Sequence, residues 1–96
     1  PLSQLAAEYE RYVSSGEINS RVDDVAAADA RVEAAFAGRD GVRIDRLDGL
    51  SVLGDDWWFN LRPSNTEPLL RLNAEAADVA TMEKLRDEVL SLVRNG

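Results

Sequence analysis

The sequence predicts an α+β domain: a four-stranded antiparallel sheet with two helices on one of its faces. Three observations carry that expectation. Apolar residues recur at helical spacing in two stretches, over residues 24–37 and from residue 78 onward. Between them the pattern switches to a period of two, punctuated by turn signals at Asp48-Gly49 and Gly54-Asp55-Asp56. The order is then strand, helix, three strands in a meander, helix, and a sheet covered on one side is the economical way to bury both helical stripes.

Residues 3–13 read as a weak connecting helix, with Leu5, Tyr9 and Val13 on one face and Ser14-Ser15-Gly16 ending the run. We place a boundary there: residues 1–15 as a connection from a preceding domain, 16–96 as the domain itself. Residues 17–22 alternate Ile18 and Val22 with polar positions, a short weak strand. Asp23 or Asp24 suits a helix N-cap. Val25, Ala28, Val32, Ala35 and Phe36 form the apolar stripe of the helix that follows, which Gly38 stops. Val42, Ile44 and Leu47 begin a strand, Leu50–Leu53 make the next, Trp57–Arg62 the third and Leu69–Ala74 the fourth. The closing helix has Asp78 as its N-cap and Val79, Met82, Leu85, Val89, Leu92 and Val93 as its buried stripe.

Strand alternation turns this fold into a statement about function. Trp57, Phe59 and Leu61 belong with Leu70, Leu72 and Ala74 under the helices, because successive side chains on a strand face opposite ways. The open face then carries Trp58, Asn60, Arg62, Arg71 and Asn73, beside a loop bracketed by Pro63 and Pro68. Neither proline can donate to a ladder, so the loop bulges from the sheet.

Composition limits what such a face can do. The 96 residues include 11 basic and 18 acidic side chains, a formal charge of −7, and neither His nor Cys. That excludes thiol or Ser-His-Asp nucleophiles, Cys/His zinc sites and disulfides. A net negative surface disfavours a nucleic-acid partner, and no apolar run approaches the length of a membrane span. An anion site would have to be local. The excess acid is concentrated away from it: residues 1–38 carry −4 (three basic, seven acidic) and residues 39–73 only −1 (five basic, six acidic).

Arg62-Pro63-Ser64-Asn65-Thr66-Glu67-Pro68 has the parts of a phosphate-monoester site. Arg62 offers a charged fork, Ser64 and Thr66 rotatable hydroxyls, and the turn its backbone N–H groups as an anion nest. Asn65 tolerates the left-handed conformation such turns often use. Glu67 supports the loop, by accepting backbone N–H groups or by pairing with Arg71. The competing reading is structural: Ser64-x-x-Glu67 is also a capping box, although Pro68 and the extended run after it argue against a helix there. Trp57 reads as core, and Trp58 either covers the open face or borders a ligand. Asp55-Asp56 alone supply too few oxygens for a hard cation. Arg39, Arg43 and Arg46 read as surface residues.

The run Arg62–Arg71, with Gly16-Glu17-Ile18-Asn19, the Asp48-Gly49 turn and Trp58 four residues before Arg62, resembles the C-terminal domain of the α-D-phosphohexomutases. The Ser-Asn-Thr-Glu-Pro form is most similar to the bacterial phosphomannomutase/phosphoglucomutase group. The resemblance runs from about Ser15 to the end of the chain. It implies a TATA-box-binding-protein-like fold, and a loop whose Arg62, Ser64, Asn65 and Thr66 hold the phosphate of the phosphosugar that is not being transferred. It also implies a cytoplasmic parent enzyme that moves phosphate between C1 and C6 of a mannose or glucose phosphate, using a phosphoserine and Mg²⁺. The family's phosphoserine, metal and sugar loops are not in this sequence, so the chain is expected to be a non-catalytic lid cut from a longer protein, its partners being the substrate and the preceding domains. The alternatives are a stand-alone α+β ligand-binding or regulatory module, or an interaction domain with a docking face.

Overall fold

The computed structural model describes residues 12–94. Seven elements follow in order: β1 (Val13–Arg21), α1 (Val25–Ala37), β2 (Arg43–Asp45), β3 (Leu50–Leu53), β4 (Trp57–Pro63), β5 (Leu69–Ala76) and α2 (Val79–Arg94). The helix expected over residues 3–13 lies outside the described residues except for its last two positions, and at Val13 the chain is already a strand.

The sheet has five strands, not four, in the order β1-β5-β4-β3-β2, and every neighbouring pair is antiparallel. β2 to β5 form a meander, and β1 closes onto β5. Each of the five segments that the sequence marks as extended forms a strand, so the count of four falls one short of the segments themselves. β2 spans three residues yet pairs fully with β3, because an open edge offers any extended segment a place for its backbone groups. Leu47, expected in that strand, is 85% exposed. The Asp45 carboxylate accepts from the Leu47 N–H at 2.7 Å, an Asx turn that ends β2 and turns Leu47 outward.

β1 is longer than expected. Ser14-Ser15-Gly16 does not end a helix; it forms a bulge, with a register shift against β5 between Ser14 and Glu17. Gly16 supplies the positive φ of 70°. The Ser15 hydroxyl accepts from the Ala74 N–H at 3.0 Å, so the donor facing the bulge is still satisfied.

Both helices lie on one face. Asp24 is the N-cap of α1, accepting from the Ala27 N–H at 3.0 Å. Asp78 does the same for α2, accepting from the Thr81 N–H at 2.7 Å and the Thr81 hydroxyl at 3.1 Å. Ala28, Val32 and Phe36 of α1 and Leu85, Val89 and Val93 of α2 meet Phe59, Leu61, Leu70, Leu72 and Ala74 in one core. Phe36 sits edge-on to Phe59 and Trp57, at centroid distances of 5.1 and 5.8 Å, a favoured aromatic geometry. Val79 departs from the expected stripe: in the first turn of α2 it is 52% exposed. Arg31 ties the helices together, donating to the carbonyls of Leu92 and Val93 at the end of α2 at 2.7 and 3.1 Å.

Two arginines expected on the surface have defined partners. Arg46 pairs with Asp29 and Glu33, fastening the β2–β3 connection to α1. Arg39 pairs with Glu88, and its guanidinium lies 4.1 Å from the centre of the Phe36 ring.

Candidate functional site

The face of the sheet away from the helices carries the polar residues that alternation assigned to it. Their rows run across the strands. Ser51 of β3, Asn60 of β4 and Asn73 of β5 are successive partners. The next row brings Arg62 of β4 opposite Arg71 of β5, and Arg71 opposite Asn19 of β1. Trp58 sits in the row of Glu75. Its indole N–H donates to the Glu75 carboxylate at 3.2 Å, and it does not line the cleft described below.

The loop between β4 and β5 closes on itself. The Ser64 N–H donates to the Leu69 carbonyl at 3.0 Å and the Leu69 N–H to the Glu67 carbonyl at 2.7 Å. The Val22 N–H donates to the Pro68 carbonyl at 2.9 Å, anchoring the loop to the end of β1. The loop geometry bears on three readings, among them the capping box that Pro68 already argues against. No helix follows Ser64, whose N–H is taken by Leu69, so there is no capping box. Glu67 pairs with Arg21 at 3.2 Å, not with Arg71. No residue other than glycine has a positive φ among the described residues, so Asn65 does not use its tolerance of the left-handed region. The Ser64 hydroxyl faces its own loop, accepting from the Thr66 N–H at 3.4 Å.

The loop, the end of β4 and the β2–β3 turn enclose an open cleft of about 520 Å³. Ser64, Asn65 and Thr66 form its loop wall, Arg62 and Arg71 its sheet wall, and Asp48 and Gly49 its far rim. All four expected ligands, Arg62, Ser64, Asn65 and Thr66, are therefore brought to one place. Arg71 was expected to support the loop; it lines the cleft itself. Its Nε is buried and has no hydrogen-bond partner among the described residues. A buried charged donor with no acceptor is costly, and a guanidinium directly across from another guanidinium is repelled as well. The register Arg62↔Arg71 follows from strand alternation; the unpaired donor does not, because it depends on which acceptors the folded neighbours leave free.

Arg62 has a carboxylate partner. One of its Nη atoms lies 3.3 Å from each oxygen of Asp48. Gly49 makes that approach possible: its φ is 71°, and a Cβ there would stand 2.5 Å from Arg62 Cγ and 2.9 Å from the Leu61 carbonyl oxygen. The Asn60 amide fixes the same turn, donating to the Asp48 carbonyl at 2.8 Å and to the Ser51 hydroxyl at 3.0 Å.

Among the described residues no group of three or more Asp, Glu, His or Cys could hold an ion, and Asp55-Asp56 lie in the β3–β4 turn. Nor is any helix long and apolar enough to cross a membrane, among the described residues.

A sheet of this topology, with both helices on one face and a two-arginine cleft at the end of its central strands, defines an α+β domain with a polar cleft on its open side. Residues 17–92 match the family model of the phosphoglucomutase/phosphomannomutase C-terminal domain, and the chain belongs to that family. It is 45% identical over 92 residues to a phosphomannomutase of Methanocaldococcus jannaschii, covering 96% of this chain and 20% of the relative. It is 52% identical over 85 residues to a phosphomannomutase of Salmonella montevideo, covering 88% and 18%. Among solved structures, a phosphoglucomutase/phosphomannomutase family protein of Burkholderia thailandensis superposes with a TM-score of 0.64 at 27% identity, over 98% of this chain and 20% of that one. The chain thus spans about one fifth of the length of these relatives.

Proposed function

We propose that this chain is the substrate-phosphate-binding lid of a phosphohexomutase that interconverts hexose 1-phosphate and 6-phosphate, acting on mannose or glucose phosphates. The observation that carries the reading is the pair of arginines, Arg62 and Arg71, that strand register sets opposite each other and that both line the cleft wall. A phosphate dianion in the cleft screens the like charges and offers the two side chains a charged acceptor.

In this reading Arg62 and Arg71 grip the phosphate, and Ser64, Asn65 and Thr66 complete its hydrogen bonds. Glu67, held by Arg21, keeps the loop in shape. The chain recognises the phosphate rather than the sugar ring, so either end of a bisphosphate intermediate fits the same cleft. That suits a substrate that must turn over midway. Chemistry belongs to the preceding domains of a cytoplasmic parent chain, which supply the phosphoserine and the Mg²⁺ site. This chain closes over them and excludes water; alone it binds and does not catalyse.

The test is kinetic. In the parent enzyme Arg62→Ala raises KM strongly and lowers kcat less, since the contact is made to a phosphate present in both ground and transition states. An unchanged KM contradicts the assignment.

A further inference from the structure

We infer that Asp48 is a built-in competitor for the anion site: its carboxylate occupies Arg62 when the cleft is empty and has to be displaced when a phosphate binds. The inference rests on the phosphate-binding reading above and adds a residue that sets affinity and release.

Asp48 is held at the rim of the cleft by its backbone. Its carbonyl accepts from Asn60 at 2.8 Å, and the following residue, Gly49, packs so closely on Arg62 and Leu61 that no side chain fits there. The carboxylate itself is loosely held. Both oxygens share one Nη of Arg62 at 3.3 Å, and the two side chains are 76% and 47% exposed. A long ion pair at such exposure adds little to folding stability. Its consequence falls on binding. A dianion on Arg62 arrives within a few ångströms of a fixed negative charge, so it must displace Asp48 and remain beside it. Arg71 has no such carboxylate among the described residues; Glu67, the acidic residue of the loop, is engaged by Arg21. The cleft is thus asymmetric, with one open guanidinium and one already occupied.

Such a device weakens binding and speeds release, which fits a site that must let go of its phosphate while the substrate reorients. It acts through charge. Asp48→Asn keeps the size of the side chain and removes the charge.

The experiment is a titration of glucose 6-phosphate into the 96-residue chain and its Asp48→Asn and Asp48→Ala variants, following backbone amide shifts of residues 62–71. It is run at low salt and again at several-fold higher ionic strength, with circular dichroism melts to confirm that each variant folds. Both variants are expected to bind roughly two- to tenfold more tightly at low salt. The gain should shrink at high salt, where the screening length falls below about 10 Å. Tighter binding of equal size at both salts points to packing and overturns the competitor role. Equal or weaker binding overturns it as well, and makes Asp48 a bystander or a ligand for a sugar hydroxyl. If neither the parent chain nor the variants shift in this loop, the phosphate-binding reading itself fails, and the role of Asp48 with it.

Discussion

Arg62 and Arg71 face each other across β4 and β5, a placement that costs stability unless something negative sits between them. Asp48 partly meets Arg62, and Arg71 Nε is left without an acceptor among the described residues. The geometry around Arg62 depends on a single small residue. Gly49→Ala places a methyl group against Arg62 Cγ and the Leu61 carbonyl at a position whose φ is positive. The left-handed conformation alone costs about 1–2 kcal/mol, and the backbone contact adds to that. Urea denaturation should therefore show a loss of about 2 kcal/mol or more, with weaker phosphate binding as Arg62 is pushed aside. A variant within about 0.5 kcal/mol of the parent, the range of neutral surface changes, contradicts the steric role given to Gly49.

The two helices owe their starts to aspartates, and α2 shows this through its titration. Hydrogen bonds from the Thr81 N–H, and next from its hydroxyl, hold the Asp78 carboxyl below its ordinary range. A depressed folded pKa means that the stabilisation is fully present above the unfolded value of about 3.9 and is lost as pH falls through the lower folded value. Comparing urea midpoints of the parent chain and Asp78→Ala from neutral to acid pH should show a gap that closes on acidification. A gap of constant size contradicts the capping role. Both caps were legible in the sequence, because an Asp before an apolar helical stripe is a local signal. So was the division of β4 and β5 into a core face and a polar face, since a period of two leaves little freedom. The edges were legible only in part. Val42 and Ile44 announce β2 but not where it stops, which the Asp45–Leu47 turn decides, and the Ser14-Ser15-Gly16 bulge looks like a terminator until Ala74 arrives from the far end of the chain to bond with Ser15. The same holds for the site. Arg62 and the loop hydroxyls are neighbours in sequence. The partner of Glu67 is Arg21, 46 residues away, and that pairing needed the fold.

Taken whole, the molecule keeps most of its acidic excess in connections away from the cleft, at Asp23-Asp24, Asp55-Asp56 and Asp78, and presents a cleft walled by arginines and loop hydroxyls at one end of the sheet. Folding brings β1 beside β5, so the loop is braced by Val22 and Arg21 at one end of the β4–β5 connection, while the 48–49 turn faces it across the cleft. A braced loop with little to rearrange is what a lid needs if it is to recognise a phosphate in either orientation of a turning substrate. The proposed recognition can be tested on the chain by itself. Glucose 6-phosphate and mannose 1-phosphate should shift the backbone amides of Arg62–Glu67, saturating in the millimolar range or above. Glucose at the same concentrations should leave them in place, and Arg71→Ala, folded as judged by circular dichroism, should abolish most of the shift. Equal shifts with unphosphorylated glucose, or undiminished binding by Arg71→Ala, would contradict a phosphate held between the two arginines.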